Sequence, residues 1–215
     1  MYDQPDIFDR CIEDAVKFHG HLCGGQIIGV RMALAGLREL GMRDPRGKDR
    51  KNLVVVVEID RCATDAIGAV TGLTPGRRSL KIKDLGKMAA TFVDLSTGRA
   101  VRICVRESSR RKGEELAAVL IADMGDEREA SFKALELMEE TDLLDIREVA
   151  VDFHPSDLPG HPTHKTVCEL CGESILDQRE TVVAGKTCCK PCASGHSYYR
   201  FLPEEKDVTN MAANG

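Results

Sequence analysis

Two cysteine pairs near the C-terminus restrict what this chain can fold into more tightly than any other feature. Cys168-Glu169-Leu170-Cys171 and Cys189-Lys190-Pro191-Cys192 are separated by the 17 residues from 172 to 188. Each C-x2-C turn aims two sulfurs at one point, and two such turns close a tetrahedron around a zinc ion, with a separation in the range of roughly 15–20 residues. A segment this short has little core of its own, so metal binding supplies most of its folding energy. Residues 166–203 are therefore expected to form a small zinc-ribbon domain, with structural zinc on Cys168, Cys171, Cys189 and Cys192. Cys188 adjoins Cys189 and offers a thiol in its place, although the C-x2-C spacing favours Cys189; His196 is a weaker substitute.

A zinc ribbon raises the question of nucleic acid, and the charges answer against it. Between residues 166 and 202, Arg179, Lys186, Lys190 and Arg200 face Glu169, Glu173, Asp177 and Glu180, a balance of zero. Phosphate binding needs a basic footprint, and the whole chain carries a formal charge of -5. The N-terminal residues Met1 to Asp6 are acidic without an apolar run, and Leu53–Val57 is too short to cross a bilayer. No signal peptide and no membrane association are expected. Nine cysteines then read as thiols and metal ligands in a cytoplasmic protein rather than as disulfides.

Upstream of the ribbon the hydrophobic periodicity alternates between helix and strand. Helices are predicted over 6–19, where Ile7, Cys11, Ile12, Ala15 and Phe18 share one face, and over 24–40, with Ile27, Val30, Leu34 and Leu37 as the stripe. In the second helix Gly25, Gly29 and Ala33 fall four apart. Such a ridge of small residues lets another backbone approach, in the core or at a subunit contact. A buried strand is predicted over 52–60, a short helix up to Thr71, strands over 79–83, 91–94, 100–105 and 149–153, and helices over 114–123 and 128–140. This order points to an α+β fold with a mainly antiparallel sheet over residues 1–153. Residues 154–165 contain three prolines and read as a linker carrying His154, His161 and His164; residues 204–215 read as a disordered tail.

The segment Phe18-His19-Gly20-His21-Leu22-Cys23-Gly24-Gly25 concentrates two imidazoles, one thiol and three glycines. These are the donors that borderline metals prefer. A thiol just before a helix also feels the positive end of its dipole, which favours thiolate. His19, His21 and Cys23 alternate, so in an extended segment they share one side. Cys62 and Asp65 follow the Val-rich strand. Should the two segments meet, His21, Cys23 and Cys62 would supply three ligands to a second transition metal, most naturally zinc, with an open position; His19 and Asp65 would orient them or move protons. Catalytic roles fall to Cys23, His19 and Asp65, and metal-free thiol chemistry is the alternative. Cys11 and Cys104 read as small buried hydrophobes. The basic run Arg77, Arg78, Lys81 and Lys83 reads as a solvated strand face, with a phosphate or carboxylate site as the alternative.

These residues carry a resemblance. The histidine-cysteine-glycine segment at 18–25, Glu58-x-x-Arg61-Cys62-x-x-Asp65 and the stretch from Thr71-Gly72 to Lys87 resemble the family of the formylmethanofuran dehydrogenase E-subunit, over about residues 8–153. The resemblance implies an α+β core, a homodimer, and a metal or thiol pocket at His19, His21, Cys23, Cys62 and Asp65. It also implies association with the molybdenum or tungsten enzyme that interconverts carbon dioxide and formylmethanofuran, without implying that this chain performs that reaction. The leading expectation is a metal-binding accessory or small redox-related protein. A non-catalytic adaptor on a larger oxidoreductase and a metal- or redox-sensing regulator are the alternatives.

Overall fold

The computed structural model describes residues 5–202, and the tail expected over 204–215 lies outside them. The chain divides into two compact units, Met1–Gly160 and His161–Gly215. In the first, the run Leu53–Val57 (β1) is buried along its whole length, as a strand covered on both faces must be. It lies inside a five-stranded sheet of order β2-β1-β3-β4-β5, with β2 at Leu80–Ile82, β3 at Ala89–Asp94, β4 at Ala100–Val105 and β5 at Leu144–Val149. Only the β1–β2 pairing is parallel; β1–β3, β3–β4 and β4–β5 are antiparallel. The class is α+β.

Alternation along the strands separates two faces. Leu53, Val55 and Val57 join Ala90, Phe92, Val101 and Ile103 in one core with the helices. Three of those helices come first in the chain: α1 at Pro5–His19, α2 at Gly24–Glu39 and α3 at Cys62–Thr71. The ridge of small residues on α2 is used inside the unit. A carbon added at Gly29 would lie 2.6 Å from the Ala63 carbonyl oxygen and 2.7 Å from Ala66 Cβ, and one at Gly36 would lie 2.5 Å from the Phe92 ring. Glycine at these places lets α2 touch α3 backbone to backbone and lie flat on β3.

Two predicted elements change. The last strand is Leu144–Val149, paired with β4 from Val105↔Leu144 to Ala100↔Val149, and the predicted strand over 149–153 is absent beyond its first residue. Asp145 and Arg147 share one face of this edge strand and Glu148 falls on the other, and Arg106, Arg147 and Arg99 pair with these acids; such a half-charged edge hides its period. The helix predicted over 114–123 starts earlier, as α4 (Ser109–Met124), and takes Arg110-Arg111-Lys112 into its first turn, where Arg110 and Arg111 pair with Glu114 and Glu115 four residues on. Helix α5 is Glu127–Leu137, capped by Asp126, and the single turn α6 is Glu140–Leu143.

The segment 154–165 is not uniformly extended. Pro155–Asp157 forms a 3-10 turn with Ser156 buried, and the Ser156 carbonyl accepts from Arg78. In the second unit, β6 (Lys165–Val167) pairs with β7 (Ser174–Leu176), β8 (Thr181–Val183) pairs with β9 (Lys186–Cys188), and α7 follows at Lys190–Ser194. Among the described residues no helix is long and apolar enough to cross a membrane.

Gly29→Ala is expected to lower the unfolding free energy by about 1–3 kcal/mol through overpacking. Gly76→Ala, where an added carbon meets nothing within 4 Å, should change it by less than about 0.5 kcal/mol. Urea unfolding followed by helical circular dichroism measures both; equal midpoints would mean that α2 and α3 can part without cost.

Candidate metal and thiol sites

Three helix ends converge to build the first site. α1 stops at His19, and Gly20 turns the chain back with φ +97°, a conformation that side-chain-bearing residues resist. Cys23 then sits extended (φ -148°, ψ 165°) as the N-cap of α2, its carbonyl accepting from the Gln26 and Ile27 N–H groups. α3 opens with Cys62 itself. The α2–α3 contact stacks these two N-termini, so that a carbon on Gly25 would lie 2.9 Å from Cys62 Cβ. Gln26, fully buried, fixes the register by donating from Nε2 to the Cys62 carbonyl at 2.6 Å.

His19 completes the group. Its Nδ1 lies 2.8 Å from Asp65 Oδ2. A carboxylate only accepts, so Nδ1–H is the donor, and in the neutral ring the lone pair falls on Nε2. That Nε2 is buried and has no hydrogen-bond partner among the described residues. One donor atom each from His19, Cys23 and Cys62 lies within 4.8 Å of the others. This is close to the spacing that a shared ion with bonds of roughly 2.0–2.3 Å requires.

The predicted residues thus meet, with one exchange of position. The imidazole within coordinating reach of Cys23 and Cys62 is that of His19, while the exposed His21 ring leans on it with centroids 4.7 Å apart and planes tilted by 39°. The alternating reading assumed an extended 19–23 segment, whereas His19 belongs to the last turn of α1. Neither ligand cluster includes His154, whose Nδ1 bonds Ser156, or His164, which pairs with Glu180. Gln26 escaped the sequence reading; its one signal there is a long polar side chain on the buried, small-residue face of a helix.

Burial pushes the Cys62 thiol up, and the neighbouring Cys23 thiol adds to the effect. Two thiols and an unpartnered imidazole nitrogen in one half-buried place are costly without a cation. Their donor chemistry fits zinc or a neighbouring transition metal.

The loop leading to Cys62 is tied down at Glu58. Its carboxylate accepts from Arg102 Nε and from a terminal guanidinium nitrogen at 2.7 Å each, a fork-to-fork pair, while its carbonyl accepts from the Leu85 and Lys87 N–H groups. The Arg102 guanidinium holds the Glu58 carboxyl below the usual carboxylate range against the opposing effect of burial. A depressed acid contributes stability above its unfolded pKa of about 4.3, and that contribution fades as the pH falls through the folded value. Glu58→Gln should therefore cost about 1–3 kcal/mol at neutral pH. Its deficit against the unaltered chain should narrow in thermal melts taken at successively lower pH; a constant deficit would show that the charge is not what matters.

In the second unit the Cys168–Cys171 turn links β6 to β7, closed by Gly172 at φ +77°, and Cys189 caps α7 with Cys192 one turn on. The four sulfurs form the other ligand cluster, with Cys171 and Cys189 Sγ 3.8 Å apart. The N–H groups of Cys171 and Cys189 pull the Cys168 thiol down to about 6, whereas the thiols of Cys189 and Cys171 push Cys192 up. Four thiols so close cannot all ionise without a cation among them. Cys188 is buried against Ile175 and its Sγ points to the Lys186 carbonyl, which assigns the fourth ligand to Cys189. Cys189→Ser should accordingly lose the ribbon's zinc, and Cys188→Ser should keep it; zinc analysis of the two proteins with a chelator in the wash separates the cases.

Residues 18–150 match the family model described as FmdE, molybdenum formylmethanofuran dehydrogenase operon. The chain belongs to this family. Residues 162–198 match the prokaryotic dksA/traR C4-type zinc finger, so an FmdE core is followed by a C4 finger. A probable S-adenosyl-L-methionine-binding protein of Archaeoglobus fulgidus is 32% identical over 207 residues, covering 90% of this chain. The chain spans 54% of the length of that relative. Among solved structures, a tungsten formylmethanofuran dehydrogenase E-subunit (FmdE)-like protein from Syntrophus aciditrophicus shares the fold, with a TM-score of 0.59 and 23% identity over 89% of this chain and 95% of that one.

Proposed function

We propose that the FmdE core holds a transition metal, zinc in the first instance, on His19, Cys23 and Cys62, and that the chain is a metal-binding accessory or small redox-related protein. The observation that carries this reading is the buried Nε2 of His19, unpartnered among the described residues, on a ring that a carboxylate holds by Nδ1 and that has a donor atom within 4.8 Å of two thiols. A metal-ligating histidine commonly donates its other N–H to a carboxylate, which fixes tautomer and ring orientation. Three protein donors leave a coordination position open, as catalytic rather than structural zinc sites do.

When bound, the ion supplies Lewis acidity and acidifies a water or substrate group. The surrounding residues have their own tasks. Asp65 keeps the proton on Nδ1 and balances charge gained by the ring. Gln26 holds the first turn of α3, and with it Cys62, at a fixed distance from α2. Cys23, at a helix N-terminus, is ligand or nucleophile. His21, exposed beside His19, is placed to exchange a proton with solvent. Pairing of two copies, a cytoplasmic location and association with a larger molybdenum or tungsten oxidoreductase belong to the same proposal, the last supported by the operon that the family's description names.

Elemental analysis of protein purified without chelator or affinity tag tests the reading. Two metals per chain are expected, falling to one zinc in Cys23→Ser with the ribbon's ion retained. One metal per chain in the unaltered protein, or unchanged stoichiometry in Cys23→Ser, would overturn the metal site and leave thiol chemistry at Cys23 and Cys62.

A further inference from the structure

Asp65 borders more than His19. Its side chain also lines a cavity of about 780 Å³ formed by α1, α3, the 3-10 turn Pro75–Arg77 and β2. The walls are largely apolar, with Leu73 and Leu80 inside and Phe18 and Ile82 at the lip, the last two 67% and 44% exposed. Large apolar side chains left open around a concavity of this size are the usual lining of a small-molecule site.

The polar groups at the rim are unevenly matched. Arg46 and Asp14 pair with each other at 2.8 Å, and Asp65 is engaged by His19. That leaves Lys17, Arg50 and Arg77 with Asp60 as the remaining charged groups of the lining. No hydrogen bond or ion pair joins the side chains of these three cations to another described residue. Three cationic groups, on α1, on the loop before β1 and on the 3-10 turn, thus border an apolar hollow with one acid, Asp60, left to balance them.

We propose that this cavity binds a small organic anion, with an apolar, ring-bearing body against Phe18, Leu80 and Ile82 and a carboxylate or phosphate group held by Lys17, Arg50 and Arg77. Arg77 opens the basic run for which the sequence left a phosphate or carboxylate site as an alternative. With Arg46 paired to Asp14 and Asp65 engaged by His19, the remaining lining carries a net positive charge of two, which favours an anion over a cationic or neutral ligand. The bound molecule lies beside Asp65, one hydrogen bond from His19, and is therefore the compound on which the core site acts. That last assignment rests on the proposed metal and thiol site; the binding itself does not.

The chain contains no tryptophan, so Phe18→Trp places a lone indole at the lip as a reporter. The full-length variant is titrated with phenyl phosphate, with benzoate and with neutral benzyl alcohol, and calorimetry on the unaltered protein checks that the indole does not create the site. A saturable signal is expected for at least one anion, with benzyl alcohol about tenfold weaker or worse. Arg50→Ala and Arg77→Ala, each in the reporter background, should weaken the anion by about tenfold. Preference for phenyl phosphate assigns a phosphate group and preference for benzoate a carboxylate. Equal binding of benzyl alcohol, indifference to both arginine substitutions, or no saturation with either anion would overturn the proposal. Metal content keeps the two readings apart: anion binding to a protein with one zinc supports the cavity and overturns the core metal, and two metals without anion binding do the reverse.

Discussion

At Gly29 the space for a methyl group is already taken by the Ala63 carbonyl and the Ala66 side chain, so α2 and α3 meet at a distance that only bare backbone allows. The consequence travels along both helices to their N-termini. Because the axes are this close, the chain entering α2 and the chain entering α3 arrive side by side, and the thiols of Cys23 and Cys62 share one place. Gln26 then converts proximity into register through its bond to the Cys62 carbonyl. His19 reaches the same point from α1, whose own packing on α3 puts Asp65 behind the ring. A larger residue at Gly25 or Gly29 would act on the site without touching a donor atom.

Much of this is legible in the sequence because it depends on local rules. The small-residue ridge of α2, the five-residue Val-rich strand and the two C-x2-C turns each announce a geometry that needs no partner to specify it. What is hidden depends on partners. The exchange of His19 for His21 turns on where α1 stops, since a helical His19 and an extended one point in different directions. β5 is masked because Asp145, Arg147 and Glu148 follow the demands of an exposed edge rather than a strand period. The importance of Glu58 cannot be read without Arg102, which lies on β4, two strands away from β1 in the sheet order.

The two units are held together by different physics. In the first, Phe92, Ile27, Met32, Leu37, Leu53 and Ile103 are fully buried, and the hydrophobic effect suffices to fold it. In the second, the buried cluster consists of Ile175 with Cys168 and Cys188, too little apolar surface to order a chain of that length. Its stability is the stability of metal–sulfur bonds, so it depends on the supply of zinc and on the redox state of its thiols in a way the first unit does not.

The elements that carry the core site also come first. His19, Cys23 and Cys62 with their supports Gln26 and Asp65 all precede β2, β3 and β4 in the chain, and the bond between His19 and Asp65 spans only 46 positions. A polypeptide leaves the ribosome in that same order. His19, Cys23 and Cys62 are complete before the strands that close the core beneath α2 have been made, and the cysteines of the finger follow later. Synthesis therefore completes the two sets of thiols at separate times, the Cys23 and Cys62 pair while most of the sheet that closes its half of the protein is still unmade.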